Sequence, residues 1–411
     1  MDFFVTCRNG GETWGKYNTH TRGSFSFADA ADGGIINHFY PNSSMTLDEG
    51  CATSPVPVVS HETGQFQTYP DFGEIKKYTG VLYPYNMEVF RKRIEKAGMV
   101  DQTEDFHRAS GAWSTLLYKA DIELDLRTKS MGGFQLLDIQ DYPGQGSAYI
   151  GILDAFMEPK GMVSPKEWCG FCSPIVPLFA TDKFCYTNKE QVKGKILLAN
   201  YRDNEGLRKW LDGRIAWRLE TADGHRIKDG VVLIPQESMG LTEIGEIDID
   251  LSDIEKAERL NLVLDAFYNL LSSKCYTNTY PLWAYPTALN TDSLKNGIII
   301  TKTMTDDIGR KLSQGANYRP IVQVIDNVER NHKLGLIFEF KVDKGKILVC
   351  MSDLIAIQEY PEARQMYHSI LNYMLSDKFW PTTNLSLSDL HRLLTSTINK
   401  EYIEELNNIS L

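Results

Sequence analysis

The sequence predicts a multidomain α/β protein, and three successive rhythms along the chain predict it. Residues 1–160 alternate short apolar runs with helical patterns, as repeated β-α units on a parallel sheet do. From about Gly194 the pattern shifts to period two between turn-rich pieces such as Ala222-Asp223-Gly224, which predicts a β-sandwich. From near Asn296 apolar runs return together with one helix, which predicts a small α/β domain. A single core stops growing well short of 411 residues, so several domains are expected on length alone.

The first region has candidate strands over residues 3–6, 34–39, 57–60 and 133–139. Between the last two, a long helical stretch runs from Pro84 to about Arg127, with Phe90, Ile94, Phe106, Ala109, Trp113 and Leu117 at roughly helical spacing. The sandwich strands are read over 195–198, 215–219, 231–234, 246–251 and 260–267. The last region reads as strands over 298–300, 320–325, 334–342 and 346–351, with a hairpin at Val342-Asp343-Lys344-Gly345-Lys346 and a closing helix over 361–374.

Composition excludes several classes. Lys plus Arg total 43 against 54 Asp plus Glu, and a net charge of −11 gives no long-range attraction to nucleic acid. No run approaches the ~18 apolar residues a membrane helix needs, so no membrane insertion is expected. The opening Met1-Asp2-Phe3-Phe4-Val5-Thr6 has no signal-peptide pattern and reads as a strand entered at full stride. Seven scattered cysteines argue against a disulfide framework.

The sharpest local feature is Pro55-Val56-Pro57-Val58-Val59-Ser60-His61-Glu62-Thr63-Gly64-Gln65, an apolar strand ending in a polar cluster. In parallel α/β folds active sites gather at the C-terminal strand ends, and Glu62 sits at one. Its bland alternative is a helix-capping or ion-paired carboxylate. Two further strand ends are equally polar: Asn37-His38-Phe39-Tyr40 and Asp138-Ile139-Gln140-Asp141-Tyr142. Carboxylates and amides suit sugar hydroxyls, and aromatic faces suit sugar C–H surfaces.

Ser60-His61-Glu62-Thr63-Gly64-Gln65 resembles the seventh-strand Glu motif of glycoside hydrolase family 2, the β-galactosidase and β-glucuronidase group, in its gut Bacteroidetes form. Gly132-Gly133-Phe134-Gln135-Leu136-Leu137-Asp138-Ile139-Gln140-Asp141-Tyr142 stands where that family has its eighth-strand Gly-Gly…Trp-Asp…Asp motif, with leucine in place of tryptophan. Asp32-Gly33-Gly34-Ile35-Ile36-Asn37-His38-Phe39-Tyr40-Pro41 looks like the sixth strand with its tyrosine.

The resemblance implies the last four strands of a (β/α)8 TIM barrel over 1–180, an immunoglobulin-like sandwich over 181–285, and a small accessory α/β domain over 286–411 with a structural or homo-oligomerising role. It implies retaining hydrolysis of β-linked sugars in an oligo- or polysaccharide, with no cofactor and no metal. Glu62 would be the nucleophile, and Asn37, His38, Tyr40, His61, Gln65, Asp138, Gln140, Asp141 and Tyr142 would bind substrate.

The family's acid/base is the Glu of an Asn-Glu pair on the fourth strand. The only such letters, Asn204-Glu205, fall in the predicted sandwich, so the chain is expected to be the downstream part of a longer, periplasmic or secreted enzyme. Four strands cannot close a barrel, and low solubility or partner dependence is expected of the chain alone. The competing class is a non-catalytic carbohydrate-binding or assembly subunit.

Trp168-Cys169-Gly170-Phe171-Cys172 is close to a thioredoxin-like redox motif. Its context is wrong, because Ser164-Pro165-Lys166-Glu167 reads as an N-cap and first helical turn, which puts the cysteines inside a short helix. Asp121-Ile122-Glu123-Leu124-Asp125 reads as a charged helix face rather than a metal site.

Overall fold

The computed structural model describes residues 20–22, 39–52, 58–202, 212–268, 275–289, 291–292, 294, 297–300 and 318–395. The expected strand over 3–6, and 34–38 of the next, lie outside them. The chain divides into two compact units, one of Met1–Thr68 with Gly111–Thr287, the other of Tyr69–Ser110 with Ala288–Leu411.

In the first unit, β1 (His20–Arg22), β2 (Val58–Gly64) and β3 (Met131–Leu137) form a parallel sheet in that order. A parallel sheet needs cover on its faces. One cover is the helix Thr103–Arg127, whose Leu117, Tyr118, Ile122 and Leu126 pack with Phe66 and with Phe134 and Leu136 of β3. The arrangement is an open half-barrel sheet rather than a clear closed barrel.

Eight strands follow as two facing sheets. The larger has the order β5 (Cys185–Thr187), β11 (Cys275–Tyr285), β10 (Glu258–Phe267), β7 (Arg214–Thr221) and β8 (Arg226–Leu233). The smaller is β4 (Ile175–Ala180), β6 (Gln191–Asn200) and β9 (Gly240–Asp250). Alternate residues point inward, so Ile196, Leu198, Ile247 and Ile249 of one sheet meet Ile215, Leu219, Leu260, Leu262 and Leu264 of the other. Every period-two segment read from the sequence falls within one of these strands or at its end.

The same long helix meets the sandwich on another side, through Val176 and Leu178 of β4 and Ala199 of β6. Burial on two sides corrects the reading of 121–125. All five residues are buried, Asp121 wholly so. Their charges face protein partners instead of water. Glu123 accepts from Asn278 Nδ2 at 2.8 Å and Tyr280 Oη at 3.0 Å, pairs with Lys119, and lies 3.7 Å from Arg127. Burial pulls the Lys119 and Arg127 pKa values down, against the upward pull of Glu123.

In the second unit, β13 (Leu334–Val342) pairs antiparallel with β12 (Val322–Val324) and β14 (Gly345–Cys350), and parallel with β15 (Asn384–Leu385). Tyr318, Phe338, Phe340, Val342, Val349 and Leu385 form its core. The β13–β14 hairpin turns on Asp343, at φ +51°, and Lys344. The closing helix is Pro361–Leu375.

Two expectations fail here. The helical stretch from Pro84 to Arg127 is two helices, Tyr85–Lys96 and Thr103–Arg127, because Gly98 takes φ +69° and a 3-10 turn, Val100–Gln102, follows. Residues 298–300 form no strand, Ile299 is 95% exposed, and among the described residues no strand pairs with them, so three adjacent isoleucines were not enough. Among the described residues no helix is long and apolar enough to cross a membrane.

Candidate functional site

β2 runs past the expected stop at Ser60 and carries Glu62 inside its paired length. From Ser60↔Phe134 to Thr63↔Leu136 the strand advances three residues while β3 advances two, so His61-Glu62 form a bulge. Glu62 sits there at φ +56°, a left-handed conformation that a residue with a Cβ adopts only at a cost. Gly64 (φ +103°) and Gln65 (φ +59°) continue the irregularity.

Interior bonds hold this backbone. Ser60 Oγ and Thr63 Oγ1, both fully buried, lie 2.7 Å apart across the bulge. Gly64 N donates to Asp121 Oδ2 at 3.0 Å. Gly64 must be glycine on two counts, since a Cβ there would also lie 2.3 Å from Tyr118 Cε1. Tyr118 is held in turn by its hydroxyl, which donates to Ile150 O at 2.5 Å, and by edge-on contacts with Phe66 and Trp168.

Above this base, Gln65 Nε2 donates to Glu62 Oε2 and to Glu62 O, each at 3.2 Å. The amide therefore fixes both the carboxylate and its own bulged peptide, and the Glu62 side chain stays half-exposed. A carboxylate so held can accept hydroxyl protons or attack an electrophilic carbon.

β3 supplies the neighbouring strand end. The pair Gly64↔Leu137 brings Asp138 to the same C-terminal sheet edge as Glu62 and Gln65. The Leu137–Asp138 peptide is cis. Asp138 Oδ1 accepts from Ile139 N at 2.6 Å, and the Asp138 carbonyl lies 3.4 Å from Tyr118 Oη. Gln140 follows, half-buried and bridged to Leu153. Tyr142 is 51% exposed, with its ring over Gly144, where a Cβ would come within 2.7 Å of it.

Asp141 turns inward. Its Oδ1 takes Lys160 Nζ at 2.6 Å and Gly151 N at 2.9 Å, and both ionic side chains are 5% exposed. Burial pushes its carboxyl pKa up in spite of Lys160. It ties the loop after β3 to the interior. Tyr40 is half-buried, and its carbonyl accepts from Asn42 Nδ2 at 3.0 Å. Asn37, His38 and the His61 side chain lie outside the described residues.

Reasoning from sequence missed Tyr118 and Asp121. Their three-residue spacing on one helix was visible, but nothing local showed that this face meets Gly64. The cysteine motif sits as expected: helix Pro165–Phe171 opens with a Ser164–Glu167 capping box, and Cys172 caps its end. Burial, and then Cys169, raise the Cys172 pKa to about 11, the opposite of an activated thiol. Among the described residues no His/Cys/Asp/Glu group could hold a metal ion.

Residues 190–286 match a family model described as a domain of unknown function, DUF8488, and residues 303–395 match one described as a domain of unknown function, DUF8487. No curated protein matches. Among solved structures, a Parabacteroides merdae β-glucuronidase is similar at 11% identity over 27% of this chain and 13% of that one, with a TM-score of 0.19. A Bacteroides uniformis β-glucuronidase is similar at 10% identity over 44% and 20%, with a TM-score of 0.18. The periplasmic chaperone SfaE is similar at 11% identity over 27% and 58%, with a TM-score of 0.19. The chain thus spans a fifth or less of these two glucuronidases. Likeness at this level is distant, and the functional reading rests on the site itself.

Proposed function

We propose that Glu62 is the nucleophile of a retaining glycosidase site for β-linked sugars, of glycoside hydrolase family 2 type. The observation that carries this is the left-handed bulge at the C-terminal end of a parallel strand, where the Gln65 amide orients the Glu62 carboxylate. On this reading residues 1–180 belong to the later half of a (β/α)8 barrel, 181–285 to an immunoglobulin-like sandwich and 286–411 to an accessory domain.

The roles follow from chemistry. Glu62 attacks the anomeric carbon, its C–O bond forms as the glycosidic C–O bond breaks, and water later releases the sugar. Gln65, Asp138, Gln140 and Tyr142 line the same strand ends and bind hydroxyls or cover a sugar face, joined by Asn37, His38, Tyr40 and His61. Asp141, held by Lys160, sets the loop after β3 that carries Asp138, Gln140 and Tyr142. A second carboxylic acid about 5 Å from the nucleophile protonates the leaving oxygen in such enzymes. No residue here is assigned that task.

The test needs no acid. The chain is incubated with 2-deoxy-2-fluoro β-glycosides bearing dinitrophenolate leaving groups, then analysed by intact mass and peptide mapping. A glycosyl adduct on Glu62, absent from Glu62→Gln, supports the reading. No adduct from any sugar in the panel overturns it in favour of non-catalytic sugar binding.

A further inference from the structure

A second feature lies in the other unit, at the β13–β14 hairpin. Lys341 and Lys346 are direct cross-strand partners, and both side chains are exposed. Like charges placed opposite each other destabilise a strand pair. Among the described residues no carboxylate forms an ion pair with either. Glu339, two residues before Lys341 on the same strand face, accepts instead from the Tyr373 hydroxyl at 2.8 Å. The two ammonium groups lie against one indole, with Lys346 Nζ 4.8 Å and Lys341 Nζ 6.0 Å from the Trp380 ring centroid.

Trp380 is 68% exposed, the most exposed tryptophan among the described residues, yet its backbone is firmly built. Its neighbour Phe379 is buried, and the Phe379 carbonyl accepts from Lys346 Nζ at 2.6 Å. Lys341 N donates to Thr383 O at 2.9 Å, and β15 then pairs with β13. A large apolar ring is thus held open to solvent beside two cations, on a chain whose net charge is −11. Core packing explains Phe379, and the bond to its carbonyl gives Lys346 one anchoring contact, but neither accounts for the open Trp380 ring or for Lys341 beside it.

We propose that the exposed face of Trp380, with Lys341 and Lys346, is a binding site for a pyranose unit that carries an anionic group, a carboxylate or a sulfate. The indole covers the C–H face of the sugar ring. The paired ammonium groups take the anion, which relieves their repulsion. The net charge of −11 gives no long-range attraction to any polyanion, nucleic acids included, so binding rests on the local contact of one sugar and its anion with this site. The site is independent of Glu62.

The test is affinity electrophoresis of the full chain in native gels containing polygalacturonate, chondroitin sulfate or neutral dextran, beside binding of a thymidine oligonucleotide. Retardation by polygalacturonate identifies a carboxylate ligand, and retardation by chondroitin sulfate without polygalacturonate, since both carry uronate carboxylates, a sulfate ester. Either supports the site, provided Trp380→Ala and the double variant Lys341→Gln/Lys346→Gln each weaken binding about tenfold, the size of one lost charge-assisted contact. Glu62→Gln should bind as wild type. If Trp380→Ala does not fold, the double variant decides, because both its positions are exposed and the repulsion it removes offsets the lost Lys346 Nζ–Phe379 O bond. Wild-type binding by the double variant, retardation by dextran alone, tighter oligonucleotide binding, or no retardation in any gel overturns the proposal.

Discussion

The ring of Tyr118 fills the space in which a side chain at Gly64 would begin, and the two together set the end of the strand that carries Glu62. Tyr118 is fully buried and its hydroxyl is bonded, so the ring has nowhere to retreat. Gly64→Ala therefore suffers both a steric conflict and a left-handed φ. The expected loss is about 3 kcal/mol, overpacking and backbone strain combined. Urea denaturation checks it, and a loss below about 1 kcal/mol would show that the strand end can shift.

The buried Glu123 carboxylate balances Lys119 and Arg127 and takes bonds from Asn278 and Tyr280. Removing one partner of a buried pair leaves an uncompensated charge, so Glu123→Gln should cost about 3–5 kcal/mol. Adding Lys119→Met should recover part of that loss. The double-mutant cycle would then show a coupling of at least about 1 kcal/mol, and strict additivity would refute the ion pair as a unit.

The same network shows what was legible in the sequence. The sandwich strands were, because Ile196, Leu198, Ile215 and Leu219 alternate with polar residues in a way only a one-sided strand needs. The hairpin at Asp343-Lys344 was legible from turn chemistry alone. The long helix was only half legible. Its apolar spacing marked a helix, yet Trp113 faces solvent at 56% exposure while Gly111 and Ser114 are buried. Small residues admit close approach, as where Gly111 meets Met162 and Ser114 Oγ donates to Phe66 O, but they give no hydrophobic signal. Asp121 and Glu123 misled for the related reason that their partners lie 57 and 155 residues away. At the candidate site, the proximity of Glu62 and Gln65 was legible because both are local to one motif. Tyr118 was not, since only the fold brings it there.

Cys172 offers a test of the cysteine motif. Burial raises its pKa from the ordinary 9.0 to about 11, so at pH 8 about one thiol in a thousand is ionised. A thiol-specific disulfide reagent should modify exposed Cys169 well before Cys172. The sign for stability follows from linkage: the unfolded chain loses this proton first, so the contribution of Cys172 is intact below pH 9 and falls as pH rises towards 11. Fast labelling of Cys172 at pH 8 in the folded protein would contradict its burial and reopen a redox role.

Gln65 separates orientation of the nucleophile from its identity. Its amide bonds both the carboxylate and the peptide oxygen of Glu62, so Gln65→Ala should leave Glu62 present but less firmly oriented. If the Glu62 site acts as proposed, the fluoroglycoside adduct should still form, about fivefold more slowly, since one neutral hydrogen bond to the carboxylate contributes about 1 kcal/mol. Gln65→Glu should be slower still, because a second carboxylate beside Glu62 raises its pKa and lowers its ionised fraction near neutral pH. That variant should regain rate as pH rises, whereas Gln65→Ala should not. Equal rates for all three proteins would mean that Gln65 supports only the bulge, leaving the Glu62 carboxylate to be oriented by the substrate itself.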